Sequence, residues 1–273
     1  MTTDDMPGLA TLAGLTRVAT EDPAACALRL GAPTAYGMGL ADVAMLADFA
    51  LGGALRRLLG AGRILPTLTL TIEADAPDTP RNVEVHGHAD RPVNGLGRAH
   101  GALFDDGSVA GRCLATFAVP RSGITADPLP WEEPGGSART DEAERAVPAL
   151  ARDLGLSPDG EQSLSEALLR SCCIDLEDGI RLQPSPALAN RAGSVQGGVL
   201  FWLAARAARV GACGACGSLR FIAPAHIGEP MTATAHVSGA ERGAVTAHTE
   251  IGQRGRLVAS GLFTYRRTDR GRR

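Results

Sequence analysis

Two stretches of this 273-residue chain are apolar on nearly every side over helical lengths: "LADVAMLADFALGGALRRLL" (40–59) and "GVLFWLAARAARVGA" (198–212). A helix without a polar face belongs inside a protein rather than on its surface. Each is followed by strand patterns. "TLTLTI" (67–72) alternates strictly, which puts Leu68, Leu70 and Ile72 on one face and the threonines on the other. "SLRFIAP" (218–224) is its weaker counterpart. "NVEVHGHA" (82–89) stands opposite "MTATAHVS" (231–238), and "GRAHGALFDDGSVAGRCLATFAV" (97–119) opposite "AVTAHTEIGQRGRLVASGLFTYR" (244–266). Within the last pair, "DDG" (105–107) and "QRG" (253–255) read as tight hairpin turns.

In that pair one offset, 148, superimposes His100 on His248, Gly107 on Gly255, and Thr116-Phe117 on Thr264-Tyr265. Several coincidences at a single offset predict a duplicated domain. Each copy reads as one helix followed by an antiparallel meander. The expected class is α+β, with two domains, each an antiparallel sheet wrapped around a central helix, set side by side as an intrachain pseudo-dimer. Residues 120–141, "PRSGITADPLPWEEPGGSARTD", hold four prolines and three glycines and read as a break in regular structure. The expected division is therefore an N-terminal domain over 1–120, a linker over 121–141 and a C-terminal domain over 142–273. Residues 142–170 have helical spacing, with Ser163 and Glu166 placed as a capping box, and are expected to pack the second domain on the first.

Composition narrows the field. With 44% hydrophobic and 21% charged residues the chain reads as soluble and globular. A net charge of −3, with arginine supplying all of the basic residues, gives no sign of a nucleic-acid partner. The start, "MTTDDMPGLATLAGL", carries acids where a signal peptide carries positive charge, and no apolar run reaches the roughly 20 residues needed to cross a bilayer. A cytoplasmic protein without membrane contact is expected. The arginine-rich end (266–273) reads as a solvated terminus. Cys213 and Cys216 form a C-x-x-C without the second pair that a structural zinc site needs, and read as thiols buried at the end of a small-residue helix. His86 and His88 share a strand face, but no third ligand stands near them in the sequence, so that face reads as solvated. No metal and no cofactor is expected. There is no nucleophile elbow, P-loop or dinucleotide fingerprint.

At "GSVQGGVLFWLAARAA" (193–208) the chain resembles the hotdog-fold thioesterases, in particular the phenylacetate-pathway acyl-CoA thioesterase type. The family pattern is N-x5-H-G-G, with an acid nine positions after the His. Asn190, Gln196, Gly197 and Gly198 match its first part, with Gln in the His position, and the acid position falls on Ala205. In the first half Asp48 occupies the acid position, while Gly39, Leu40 and Ala41 replace His-Gly-Gly and Pro33 replaces the Asn. Each half has lost what the other keeps. Family sites lie between two hotdogs, so the resemblance implies one composite site, Asp48 facing Gln196-Gly197-Gly198, and a second, dead one made from Gly39-Leu40-Ala41 and Ala205.

The chemistry implied is hydrolysis of an acyl-CoA or acyl-carrier thioester. Free amides at a helix start can hold a developing oxyanion, and Gly197 is the expected donor. Asp48 would act as general base or nucleophile, its pKa raised by burial. Gln196 and Asn190 would orient water or brace the carbonyl, and Gly198 and Val195 would line the substrate position. Other readings stand beside these. The glycine pair also suits close helix packing, and Asp48 also suits a structural pairing with arginine. Loss of motif residues in both halves fits a non-catalytic acyl-CoA or acyl-carrier binder. A hydratase is disfavoured because neither central helix carries a His. Few aromatics favour an aliphatic acyl group, and such a chain can pair again into a homodimer.

Overall fold

The computed structural model describes residues 8–30, 36–37, 39–74, 82–121, 123–132, 136–138, 141–157, 160–210, 215–241 and 244–266. The first half runs through helix α1 (Leu9–Leu12), strands β1 (Leu15–Val18), β2 (Ala25–Leu30) and β3 (Tyr36–Gly37), helix α2 (Leu40–Leu59), and strands β4 (Thr67–Ala74), β5 (Val83–Ala89), β6 (Leu96–Asp105) and β7 (Ser108–Ala118). The second half follows with α3 (Asp141–Asp153), β8 (Gly160–Ser163), α4 (Leu164–Ser171), β9 (Cys173–Leu176), β10 (Gly179–Leu182), α5 (Gly197–Ala207), β11 (Ala215–Phe221), β12 (Met231–Glu241), β13 (Ala244–Gln253) and β14 (Arg256–Arg266).

Twelve strands form one sheet in the order β1-β2-β5-β6-β7-β4-β11-β14-β13-β12-β10-β9. The order reads alike from either end: each central helix is preceded by two short outer strands, and the strand after it lies at the middle. The two middle strands, β4 and β11, pair antiparallel, with Leu70 opposite Leu219 and the hydroxyls of Thr71 and Ser218 2.9 Å apart. The expectation of a helix followed by a meander needs two corrections. The strands after each helix do not pair in simple succession, because β4 pairs with β7 instead of β5. The outer strands β1, β2, β9 and β10 were also not foreseen; β1, β9 and β10 are too short to show a period, and β2, "ACALRL", does not alternate.

Helix α2 has the predicted bounds and is buried along most of its length. α5 stops at Ala207, short of the predicted 212, where Arg209 turns into the left-handed region (φ 58°). Cys216 is exposed on β11 rather than buried at a helix end, and Cys213 and Pro33 lie outside the described residues. Both hairpin turns take positive φ at two successive residues, Asp106-Gly107 and Arg254-Gly255, as the type I′ geometry requires. No helix among the described residues is long and apolar enough to cross a membrane.

Two devices tie the halves together beside the sheet. First, α2 and α5 meet with almost nothing between them. A Cβ on Gly198 would stand 2.6 Å from both the amide nitrogen and the Cα of Met45, so only glycine permits this approach. Second, α4 seats its start on the start of α2. Ser163 accepts from the Glu166 amide at 3.0 Å, which is half of the expected capping box. The Glu166 carboxylate does not complete the box; it accepts from the Ala41 amide at 3.3 Å, while Ser163 donates to the buried Asp42. The described residues of the segment expected as a linker run as a strap against the rest of the chain. It is bridged to Arg63 at Thr125 and to Thr16 at Ser137, and it buries Trp131 edge-on to Phe49 of α2, with ring centroids 5.2 Å apart.

Gly198→Ala is expected to force the two helices apart and to cost about 1–3 kcal/mol by overpacking, read as a lowered thermal midpoint.

Candidate active site

Asp48 lies on the face of α2 turned toward the start of α5. A Cβ on Gly197 would come 3.0 Å from Asp48 Oδ2 and 3.3 Å from the Phe221 ring, so the carboxylate rests against the backbone of Gly197. Asp48 Oδ1 accepts a hydrogen bond of 2.9 Å from the Thr67 hydroxyl. Burial raises the Asp48 carboxyl above its ordinary value; the Thr67 bond and the charge of Arg56 oppose that rise without cancelling it.

Thr67 could not be read from the alternation of "TLTLTI", which sends the threonines to the far face. The register between β4 and β7 shifts between Thr67 and Thr69. Such an irregularity re-aims the residues beside it. Thr67 is thereby turned to the helix side, while Leu70 and Ile72 keep the predicted buried face.

Gln196 precedes α5 as its N-cap residue, yet its side chain caps nothing. It is buried, and its Nε2 donates to Ala189 O at 3.3 Å, while Oε1 has no hydrogen-bond partner among the described residues. A buried acceptor left unpaired costs free energy unless water or a ligand meets it. Asn190 is spent on its own loop: Oδ1 accepts from the amides of Ala192 and Ser194 at 2.8 and 3.1 Å. It therefore shapes the turn that leads to Gln196. Val195 is buried beside it. Asp48, Thr67, Asn190, Val195, Gln196 and Gly197 all line one cavity of about 270 Å³. Gly198 does not line it; its role is the helix contact described above.

The cavity also holds charge that sequence reading missed. Asp48, Gly52 and Arg56 form one stripe of α2 at i, i+4 and i+8, and the Arg56 guanidinium folds back over Gly52, 3.2 Å from where a Cβ would be. Arg56 and Arg191, one from each half, both pair with Glu132 of the strap, Arg191 at 3.0 Å. Burial pushes the Glu132 carboxyl up, but Arg56, the Leu129 amide and Arg191 outweigh it and hold it below the usual range. An arginine inside an apolar helix and a tryptophan inside a proline-rich segment were the available signals.

The start of α2 is built differently. Gly39 N donates to Asp42 at 2.9 Å, Ala41 N donates to Glu166, and a Cβ on Gly39 would overlap the Glu166 carboxyl at 2.2 Å. The protein's own carboxylates thus occupy that helix start. At α5 no side chain among the described residues caps the first turn, and Asp48 stands beside it.

No family model matches the chain, and no curated protein matches it. Solved structures share its fold. A tesB protein of Mycobacterium avium subsp. paratuberculosis is 14% identical, with 95% of this chain and 98% of that one covered at a TM-score of 0.55. Acyl-CoA thioesterase II TesB2 of Mycobacterium marinum is 10% identical over 96% and 98%, at 0.53. The 12:0-ACP thioesterase of Umbellularia californica is 10% identical over 89% and 94%, at 0.53. At these identities the likeness shows the fold, a hotdog-type α+β architecture found in thioesterases.

Glu132→Gln leaves two buried arginines without their carboxylate. The expected loss is about 3–5 kcal/mol in chemical denaturation at neutral pH. A carboxyl held below its unfolded pKa stabilises above that pKa and loses the effect as pH falls through its folded value, so the gap between variant and wild type should narrow in acid.

Proposed function

We propose that the chain hydrolyses an acyl thioester, of CoA or of an acyl carrier, at a single composite site between its two halves. The observation that carries this reading is the seating of Asp48, from α2, against Gly197 at the uncapped start of α5. The palindromic strand order supports a duplicated, pseudo-dimeric arrangement of domains over 1–120 and 142–273, joined by 121–141. The sharing of fold with acyl-CoA and acyl-ACP thioesterases supports the substrate class.

In this reading a water sits between Asp48 and Gln196. One of its protons points to the Asp48 carboxylate and the other to the unpartnered Oε1 of Gln196. Thr67, donating to the other carboxylate oxygen, fixes the orientation of the base. The thioester carbonyl carbon lies above that water, with its oxygen toward the Gly197 amide. The positive end of α5 and the free first-turn amides stabilise the charge that develops there. Asp48 takes a proton from the water as its oxygen attacks, the tetrahedral intermediate forms, and the C–S bond breaks. Asp48 returns the proton to the leaving thiolate. The products are a free acid and a thiol, and the Asp48 carboxylate is restored.

The second combination, Gly39-Leu40-Ala41 with Ala205, is inert in this reading. Glu166 and Asp42 occupy the helix start where an oxyanion would have to sit, and Ala205 brings no base.

Asp48→Asn tests the assignment. Loss of a general base is expected to lower hydrolysis of acyl-CoA substrates by about 100- to 10,000-fold while acyl-CoA binding persists. Wild-type turnover in this variant would rule out the role. The same variant should be more stable than wild type at neutral pH. A carboxyl whose pKa is raised on folding is penalised once ionised, and the difference should vanish in acid, where both forms are neutral.

The pH profile gives an independent check. The base works ionised, so kcat/KM should fall through an acid limb lying above the ordinary aspartate range. Thr67→Val removes a hydrogen bond to the ionised form and should move that limb to higher pH.

A further inference from the structure

Away from the cavity, on the face of the sheet opposite α2, two histidines stand directly across from each other. His88 of β5 pairs in register with His100 of β6, and their ring centroids are 5.5 Å apart. Asp90 follows β5 on the same surface. One donor atom from each of His88, Asp90 and His100 lies within 4.8 Å of the other two. Here the structure departs from the sequence pattern, in which His86 and His88 looked like the pair. His86 turns to Glu84, with Nε2 2.9 Å from Oε2, and its ring tilts against Phe104 at 4.8 Å. The missing ligand came from the neighbouring strand, 12 residues on, at a distance that only the pairing register sets.

We propose that His88, His100 and Asp90 bind a borderline divalent transition-metal ion, with zinc as the representative case. Two imidazoles favour zinc, nickel or copper over magnesium or calcium, which prefer an all-oxygen shell. Tetrahedral zinc with ligands at about 2.0–2.2 Å needs donors roughly 3.3 Å apart. The present spacing closes to that by rotation of His100 and Asp90, both exposed.

Asp22, in the loop between β1 and β2, completes the arrangement. Its Oδ2 is 3.3 Å from His88 Nε2, and its Oδ1 is anchored by the Ala24 amide at 2.7 Å. A carboxylate on one imidazole nitrogen is the usual companion of a metal-bound histidine, since it fixes ring and tautomer. His88 Nδ1, the other nitrogen, has no hydrogen-bond partner among the described residues. Among the described residues no arginine pairs with Asp22 or Asp90, which leaves two carboxylates beside two histidines without a balancing arginine charge. A bound dication supplies that charge and clips the β1–β2 loop to the β5–β6 ladder.

The test is calorimetric titration of zinc into the metal-stripped full-length protein. One zinc per chain is expected, with no binding of calcium under the same conditions. His88→Ala and His100→Ala should each weaken the affinity about tenfold or more, and Asp22→Asn about 10- to 100-fold. His86→Ala should leave it unchanged. The proposal is overturned if the wild type takes up no zinc, or if the double variant His88→Ala/His100→Ala binds it as tightly as the wild type. None of these residues lies in the proposed thioester site, so hydrolysis should survive in all of the variants.

Discussion

A carboxylate can stand against the first turn of a neighbouring helix only if no side chain fills the gap. That constraint organises this protein. Gly198 lets α5 touch the backbone of α2 at Met45, and Gly197, one residue earlier, leaves room for Asp48. A methyl group at either position would separate the helices or displace the carboxylate. The sheet fixes the rest of the geometry, because the antiparallel pairing of β4 with β11 at its centre joins the two halves edge to edge. The apolar, nearly featureless surfaces of both helices follow from the same demand, since each is covered by sheet on one side and by its partner helix on another.

Burial makes the site and also burdens it. Removing Asp48 from water raises its pKa, which suits a base but opposes ionisation. Thr67 and Arg56 moderate that penalty. Arg56 in turn needs Glu132, and Glu132 is shared with Arg191 of the other half. A strap that looked like a tether therefore carries the anion that lets two arginines remain beside the cavity. Its Trp131, set against Phe49, fastens the strap to the same helix that bears Asp48. Stability and electrostatics at this site are one system, so changes to the strap should be felt at the carboxylate.

The starts of the two central helices are satisfied in different ways. Equivalent positions at α2 and α5 present the same unsatisfied amides. At α2 they are met from within by Asp42 and Glu166, and at α5 no side chain among the described residues meets them. The strand order nonetheless reads alike from either end of the sheet.

Much of this was legible in the chain. The bounds of α2, the buried face of β4 and both hairpin turns follow from periodicity and turn chemistry, which are local. The glycine-rich start of α5 and Asp48 of α2 were visible as residues with complementary losses. The outer strands were not, because the four residues of β1, β9 or β10 cannot display a period and the six of β2 do not alternate. Nor was Thr67, since a shift in pairing register overrode a strict alternation. Glu132, Arg191 and Arg56 are dispersed along the sequence, and their pairing is a consequence of chain paths that no local pattern encodes. The same holds for His100 beside His88. Local preference chose the elements and their buried faces. Register, close approach and the shared burial of opposite charges decided which residues meet, because those quantities exist only between segments.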